Sequence, residues 1–170
     1  MSRSFLVSVP TTHYPKLPTD LDDPGLPPGV REATVSLRHR AYRLYAHITW
    51  HTWLRVGCVN RSAAREVRFA IADAGRRTGV QILNGAVLAD HVHLLVSYRP
   101  DSRLSDFVRL AKSGGAYRAN LRVPGTVKWA RGFYVDSLAK SELSRVASYI
   151  ARQYQRHPDR IPAEVRSDQA

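Results

Sequence analysis

VQILNGAVLADHVHLLVSY, residues 80–98, decides the fold. Two apolar, β-branched runs, 80–89 and 91–98, meet at Ala89-Asp90, where a turn fits. Two strands joined this closely form a hairpin. The second run carries His91 and His93, where such a strand usually has Val, Ile or Leu. Side chains alternate along a strand, so both imidazoles share one face and Val92 takes the other.

The flanking segments extend the pattern. YRLYAHITWHTWLRVGC (42–58) is rich in aromatic and β-branched residues and reads as one long strand, with Tyr45, His47, Thr49, His51 and Trp53 on one face. RSAAREVRFAIADAGRRTG (61–79) has helical spacing at Val67, Ala70, Ile71 and Ala74, with Gly79 as its stop. Residues 102–114 read as a helix capped by Ser102 or Ser105. Gly114-Gly115 is expected to break or bend it, and 116–122 can continue it. VKWARGFYVDSL (127–138) reads as a strand, and 141–157 as an amphipathic helix with Ser141 as N-cap. The order is β-α-β-β-α-β and then a helix. This predicts an α+β class: a ferredoxin-like antiparallel sheet with an additional C-terminal helix. That fold hosts many activities, so function must be argued from the site.

The chain has 170 residues, enough for one domain with a sizeable core. Six of the ten prolines lie in the first 28 residues, so 1–41 reads as an extension, either a loose arm or a tail. The domain is expected over 42–157, with a tail over 158–170. No apolar run approaches the roughly 20 residues of a membrane span, and the N-terminus is a poor secretory signal. A cytoplasmic protein with no membrane partner is the expectation. Cys58, the single cysteine, allows no internal disulfide and reads as a buried thiol.

Lys and Arg total 26 against 14 Asp and Glu, a formal net charge of +12. Residues 102–156 hold 11 of the basic residues and only three acidic ones. A polyanionic partner follows naturally, although a solvated basic surface has the same composition.

His91 and His93 can converge on one divalent ion and leave it open positions, which suits catalysis better than structure. A surface pair hydrogen-bonded on the sheet is the plainer alternative. The last helix places Tyr149 and Gln153 one turn apart on one face. A tyrosine hydroxyl can act as a covalent nucleophile and a glutamine carbonyl as a hard-metal ligand. Arg152 and Arg156 share this helix. Tyr149 could equally pack a helix edge. Tyr154 competes as the reactive tyrosine but points about 100° away from Gln153. His47 and His51 are about 13 Å apart along a strand and cannot readily chelate one ion together; one of them could line the site from an adjacent strand, but packing or contact with nucleic acid is the reading preferred for both.

DHVHLLV, followed by YIARQ in the last helix, resembles the single-tyrosine transposases of the HUH nuclease superfamily, including insertion-sequence and REP-associated tyrosine transposases. YAHITWHTWLR, GVQILNGAVLADHVHLLV and WARGFYVDSL support the likeness over roughly 42–156. The tyrosine follows the histidine pair, unlike in relaxases, and Gln153 stands where replication initiators of the superfamily have lysine. The resemblance implies that His91, His93 and Gln153 hold Mg²⁺ or Mn²⁺ and that Tyr149 attacks single-stranded DNA to leave a 5′-phosphotyrosine link. It also implies recognition of DNA hairpins by a homodimer. Arg109, Lys112, Arg118, Arg122, Arg131 and Arg152 are the candidate DNA contacts. The chain has Ala89 where relatives usually have Pro. Asp90 either orients an imidazole or favours the turn, and the turn is preferred. A host-adopted relative, a non-catalytic nucleic-acid-binding module using Tyr45 and Trp53, and a water-using metal hydrolase are the competing readings.

Overall fold

The computed structural model describes residues 43–163; the 1–41 extension and residues 164–170 lie outside the described residues. Four strands, β1 (Leu44–His51), β2 (Gln81–Val87), β3 (His91–Tyr98) and β4 (Tyr134–Leu138), form one antiparallel sheet in the order β4-β1-β3-β2. The helices are α1 (Arg61–Thr78), α2 (Leu104–Arg122), α3 (Leu143–Ala151) and the short α4 (Gln153–Arg156). This is the expected ferredoxin-like α+β arrangement with helices added after β4.

Alternation within β1 and β3 divides the molecule into two layers. Ala46, Ile48 and Trp50 point one way with Val92, Leu94 and Val96, all at 0–1% exposure. They meet Val67 and Ile71 of α1 and Phe107, Val108 and Ala111 of α2 in the main core. The opposite face carries His47, His51, His91 and His93, and α3 packs over part of it through Ile150 against Ala86, Leu88 and Leu95. Leu83 is the extra residue of a bulge in β2, which turns Asn84 toward α3. The Asn84 amide donates to the carbonyl of Ala147 at 3.0 Å and fixes the helix to the sheet.

Several local expectations are corrected. The first strand ends at His51, because Leu54 and Arg55 both adopt left-handed φ of 54° in a 3-10 turn. Aromatic and β-branched composition could not reveal that turn. The last strand covers only Tyr134–Leu138 rather than 127–138. Upstream of it, Lys112 Nζ donates to the carbonyls of Ala130 (2.9 Å) and Gly132 (2.6 Å) and holds an irregular loop. The Gly114-Gly115 pair does not break α2, which runs unbroken from Leu104 to Arg122. It lets the two helices approach closely: a Cβ on Gly115 would lie 3.3 Å from Val67 Cγ2. Neither Ser102 nor Ser105 caps α2, whose N-cap is Arg103 with no side-chain bond. Ser141 is not an N-cap either. The chain enters α3 through a 3-10 turn, Lys140–Glu142, in which Glu142 Oε2 accepts from the Ala139 amide at 3.0 Å. The long final helix breaks at Arg152. Cys58 is half-buried at the core margin.

Residues 158–163, read as part of a tail, lie against the domain. The Ala89 amide donates to the Arg160 carbonyl at 2.7 Å and the Arg61 amide to the Ala163 carbonyl at 2.8 Å. No helix among the described residues is long and apolar enough to cross a membrane.

Candidate active site

The pairing of β1 with β3 sets Thr49 opposite His93 and His51 opposite His91. His47 is two residues from Thr49 and so lies diagonally across from His93 on the same face. The four imidazoles form one cluster. The His91 and His93 rings are 4.9 Å apart, His47 stacks on His93 at 5.2 Å, and His51 stacks on His91 at 5.7 Å. His47 and His51, assigned to packing or nucleic-acid contact from the sequence, therefore border the histidine pair. Their shared parity with a neighbouring strand was the available signal.

Each histidine of the pair is engaged at Nδ1. His91 Nδ1 lies 2.6 Å from Asp90 Oδ1, and the other Asp90 oxygen accepts from Arg160 Nη1 at 2.6 Å. Asp90 does sit in the β2–β3 turn, and this residue, 3% exposed, also bears directly on His91 through its carboxylate. His93 Nδ1 lies 3.0 Å from His47 Nε2. The Asp136 carboxylate, 3.9 Å from His47 Nδ1, favours a proton on that nitrogen. His47 Nε2 is then the acceptor and His93 Nδ1–H the donor. Burial, and then the neighbouring His91, His47, His51 and His157, push His93 down to about 3, so it stays neutral near neutral pH. Burial also lowers His47, opposed by Asp136. His51 is lowered by burial and then by Arg55 and His91.

The structure brings Tyr149 to this cluster within one chain. Its ring meets His93 edge-on at 5.7 Å and His47 at 5.9 Å, and the Arg156 guanidinium lies 5.1 Å from its centroid. A pocket of about 390 Å³ opens beside it, bounded by His47, Asp136, Glu142, Arg145, Val146 and Tyr149. Tyr154 is used elsewhere. Its hydroxyl donates to the Val87 carbonyl (3.2 Å) and accepts from the Val87 amide (3.3 Å) and Arg68 Nη2 (3.2 Å).

Gln153 is fully buried. Its Nε2 donates to the Tyr149 carbonyl at 3.2 Å, whereas its Oε1 is buried without a hydrogen-bond partner. An orphaned buried carbonyl oxygen is costly unless something else fills its need. Among the described residues no three His, Cys, Asp or Glu side chains make a metal site by themselves. The Nε2 atoms of His91 and His93 are left open by their Nδ1 contacts, and imidazole nitrogen and amide oxygen are donor types that hard or borderline divalent ions accept.

The candidate DNA contacts are dispersed. Arg109 pairs with Asp106 at 3.6 Å and Arg118 with Glu66 at 3.3 Å. Lys112 is committed to two backbone carbonyls, and burial lowers its pKa. Arg131 is exposed, and Arg152 Nε donates to the Ser148 carbonyl at 3.2 Å. The Arg122 side chain lies outside the described residues. Arg109 and Lys112 line a second groove, of about 530 Å³, with Lys128, Trp129 and Phe133; it shares no lining residue with the tyrosine pocket.

A sheet face bearing paired histidines, with a tyrosine laid beside them by a later helix, defines the class to compare. The family model described as "Transposase IS200 like" matches residues 40–153, and the chain belongs to that family. The ISDra2 transposase TnpA of Deinococcus radiodurans is 24% identical over 124 residues, 69% of this chain and 89% of that protein. The crystal structure of a Deinococcus radiodurans R1 protein described as a transposase has a TM-score of 0.54 at 24% identity, covering 68% of this chain and 95% of that one. A REP-associated tyrosine transposase bound to a REP hairpin has a TM-score of 0.56 at 18% identity, covering 70% and 72% of the two chains. These likenesses show the shared fold.

Proposed function

We propose that the protein is a metal-dependent, single-tyrosine transposase of the HUH type that cuts and rejoins single-stranded DNA at hairpin-bearing ends. The observation that carries the reading is Tyr149, lying edge-on to His93 at 5.7 Å in the same chain, three residues before the helix break at Arg152, with Gln153 buried just beyond it. The described hydrogen bonds engage the Tyr154 hydroxyl and leave the Tyr149 hydroxyl free for chemistry.

His91, His93 and Gln153 would hold Mg²⁺ or Mn²⁺, which when bound supplies charge stabilisation for the phosphate oxygens in the transition state. The chain's own residues do the rest. The Tyr149 oxygen attacks the scissile phosphorus, a Tyr–O–P bond forms and the P–O3′ bond breaks. The 5′ phosphate stays on the tyrosine, and the released 3′ oxygen takes up a proton in exchange for the one lost by the phenol. Attack by another 3′-OH reverses the step and rejoins strands without an energy source. Arg156, over the Tyr149 ring, supplies positive charge where the DNA backbone would enter, while Arg145 on the pocket wall is paired with Glu142 at 2.6 Å and would have to exchange that partner for phosphate. Arg109, Arg118, Arg122, Arg131 and Arg152 remain the proposed backbone contacts, with Lys112 acting through the loop it holds. Hairpin DNA is the proposed partner because a structural neighbour is described bound to a REP hairpin. A homodimer and a cytoplasmic location belong to the same proposal.

The rival nucleic-acid-binding module needs an open sheet face with exposed aromatics. Here α3 packs against that face, Tyr45 is only partly exposed, and Trp53, though 45% exposed, lies past the end of β1 in the 3-10 turn with Lys128 over its ring. The test is Tyr149→Phe on single-stranded hairpin DNA with Mn²⁺. Wild type should form a covalent adduct that survives denaturing gels, and the variant none. An adduct from the variant would remove Tyr149 as the nucleophile.

A further inference from the structure

We propose that Asp90 and Arg160 are positioning residues that lock the His91 imidazole with its proton on Nδ1 and its Nε2 lone pair turned into the site. This rests on the proposed metal-dependent reading of His91. The geometry is a chain of three groups: Arg160 Nη1 to Asp90 Oδ2 at 2.6 Å, and Asp90 Oδ1 to His91 Nδ1 at 2.6 Å. An ionised carboxylate only accepts, so the proton on His91 must sit at Nδ1. A neutral imidazole then has its lone pair at Nε2, the form that binds a metal.

A turn role does not account for the carboxylate. The Asp90 backbone carbonyl is already held by the Thr52 amide (2.8 Å) and Thr52 Oγ1 (3.2 Å), and the Ala89 carbonyl accepts from the Val59 amide at 2.8 Å. The turn is thus fixed by main-chain contacts, and a 3%-exposed acid is retained beyond them. Burying a carboxylate is unfavourable without partners, and it has two, one of them His91. The second, Arg160, comes from the segment after α4. The family match ends at residue 153, and Arg160 lies outside it. That segment is also held by its backbone, since the Arg160 carbonyl accepts from the Ala89 amide at 2.7 Å. Removing the Arg160 side chain therefore leaves the segment attached while freeing the Asp90 carboxylate to rotate. The ring of His157 stands edge-on to His91 at 5.7 Å and closes the same side.

The test reads the tautomer without metal or DNA. Long-range ¹H–¹⁵N imidazole spectra of the full chain are recorded at about pH 8, above the ordinary imidazole range. Wild type should show His91 protonated at Nδ1. Asp90→Asn and Arg160→Ala should convert it to a mixture with the Nε2–H form, and Arg160→Lys should restore most of the wild-type signal. His93, which leans on His47 instead, should not change in any variant. In calorimetry with Mn²⁺ alone, Asp90→Asn should lose affinity by roughly 10- to 100-fold and Arg160→Ala by less. A wild-type His91 protonated at Nε2, or an unchanged His91 tautomer in both variants, overturns the proposal. Should Asp90→Asn not fold, Arg160→Ala decides, because its side chain is 39% exposed and dispensable to the core. If wild type binds no Mn²⁺ yet the tautomer responds as stated, the metal-dependent reading fails and the positioning role stands.

Discussion

The two faces of the sheet are built by alternate residues of the same strands and do opposite work. Under α1 and α2, Ile48, Trp50, Val92, Leu94 and Val96 are sealed at 0–1% exposure and continuous with the helices. Across the backbone, His47, His51, His91 and His93 face a thin apolar seam of Ala86, Leu88, Leu95 and Ile150. One face is packed for stability. The other holds only enough apolar area to seat α3, and the rest of it is imidazole. The stability of the fold and the placement of Tyr149 should therefore be separable, since they rest on different layers.

Adjacent leucines test this most strongly. Leu94 points into the main core and Leu95 into the seam beneath α3. Leu94→Ala should cost about 2–5 kcal/mol, because the large core cannot collapse onto the void. The folded fraction should keep its specific cleavage activity. Leu95→Ala should sit at the low end of that range yet reduce cleavage per folded molecule, since Ile150, next to Tyr149, loses its partner. Urea unfolding combined with single-turnover cleavage distinguishes the two. Equal activity losses in both would mean the faces are not independent.

The division was partly legible in the sequence. The strand and helix order and the parity of β3 follow from local periodicity, and the structure has those features, whereas the single helix expected to carry Tyr149 and Gln153 breaks between them at Arg152. What was illegible depends on contacts between distant segments. His47 reaches His93 only through the β1–β3 register, and Arg160 reaches Asp90 across 70 residues. The extent of β4 depends on Lys112 gathering two carbonyls 18 and 20 residues away, which no local pattern encodes. Gly114 and Gly115 look like helix breakers locally, and only the closeness of Val67 and Ala70 explains them.

Acid should act on the histidine face before the apolar one. The folded chain holds His93 at about 3, against an ordinary value of 6.5 when unfolded. Between those values the unfolded state binds the extra proton, so folding is favoured more as pH rises. The contribution is complete above 6.5 and is lost as pH falls toward 3. One such group gives a slope of about 1.4 kcal/mol per pH unit in that window. His47 and His51, lowered by burial, act in the same direction. Metal-free urea unfolding at intervals from neutral to mildly acid pH measures it, and a flat profile over the window would show that His93 is hydrated and protonates freely in the folded state.

The smallest effect concerns the two tyrosines, five residues apart in α3 and α4. Tyr154 spends its hydroxyl on Val87, the last residue of β2, and on Arg68 of α1, so it ties the helical end of the site to both layers. Tyr154→Phe leaves the Val87 main chain and Arg68 without that oxygen and should cost about 1–2 kcal/mol. The covalent adduct on hairpin DNA should still form. Tyr149→Phe should do the reverse, leaving the unfolding midpoint nearly unchanged, because only its ring touches its neighbours, and abolishing the adduct. If Tyr154→Phe abolished the adduct at full folding while Tyr149→Phe kept it, the roles assigned by their hydrogen bonding would be exchanged. The boundary between the stabilising and reactive parts of the final helices would then have to move past the break at Arg152.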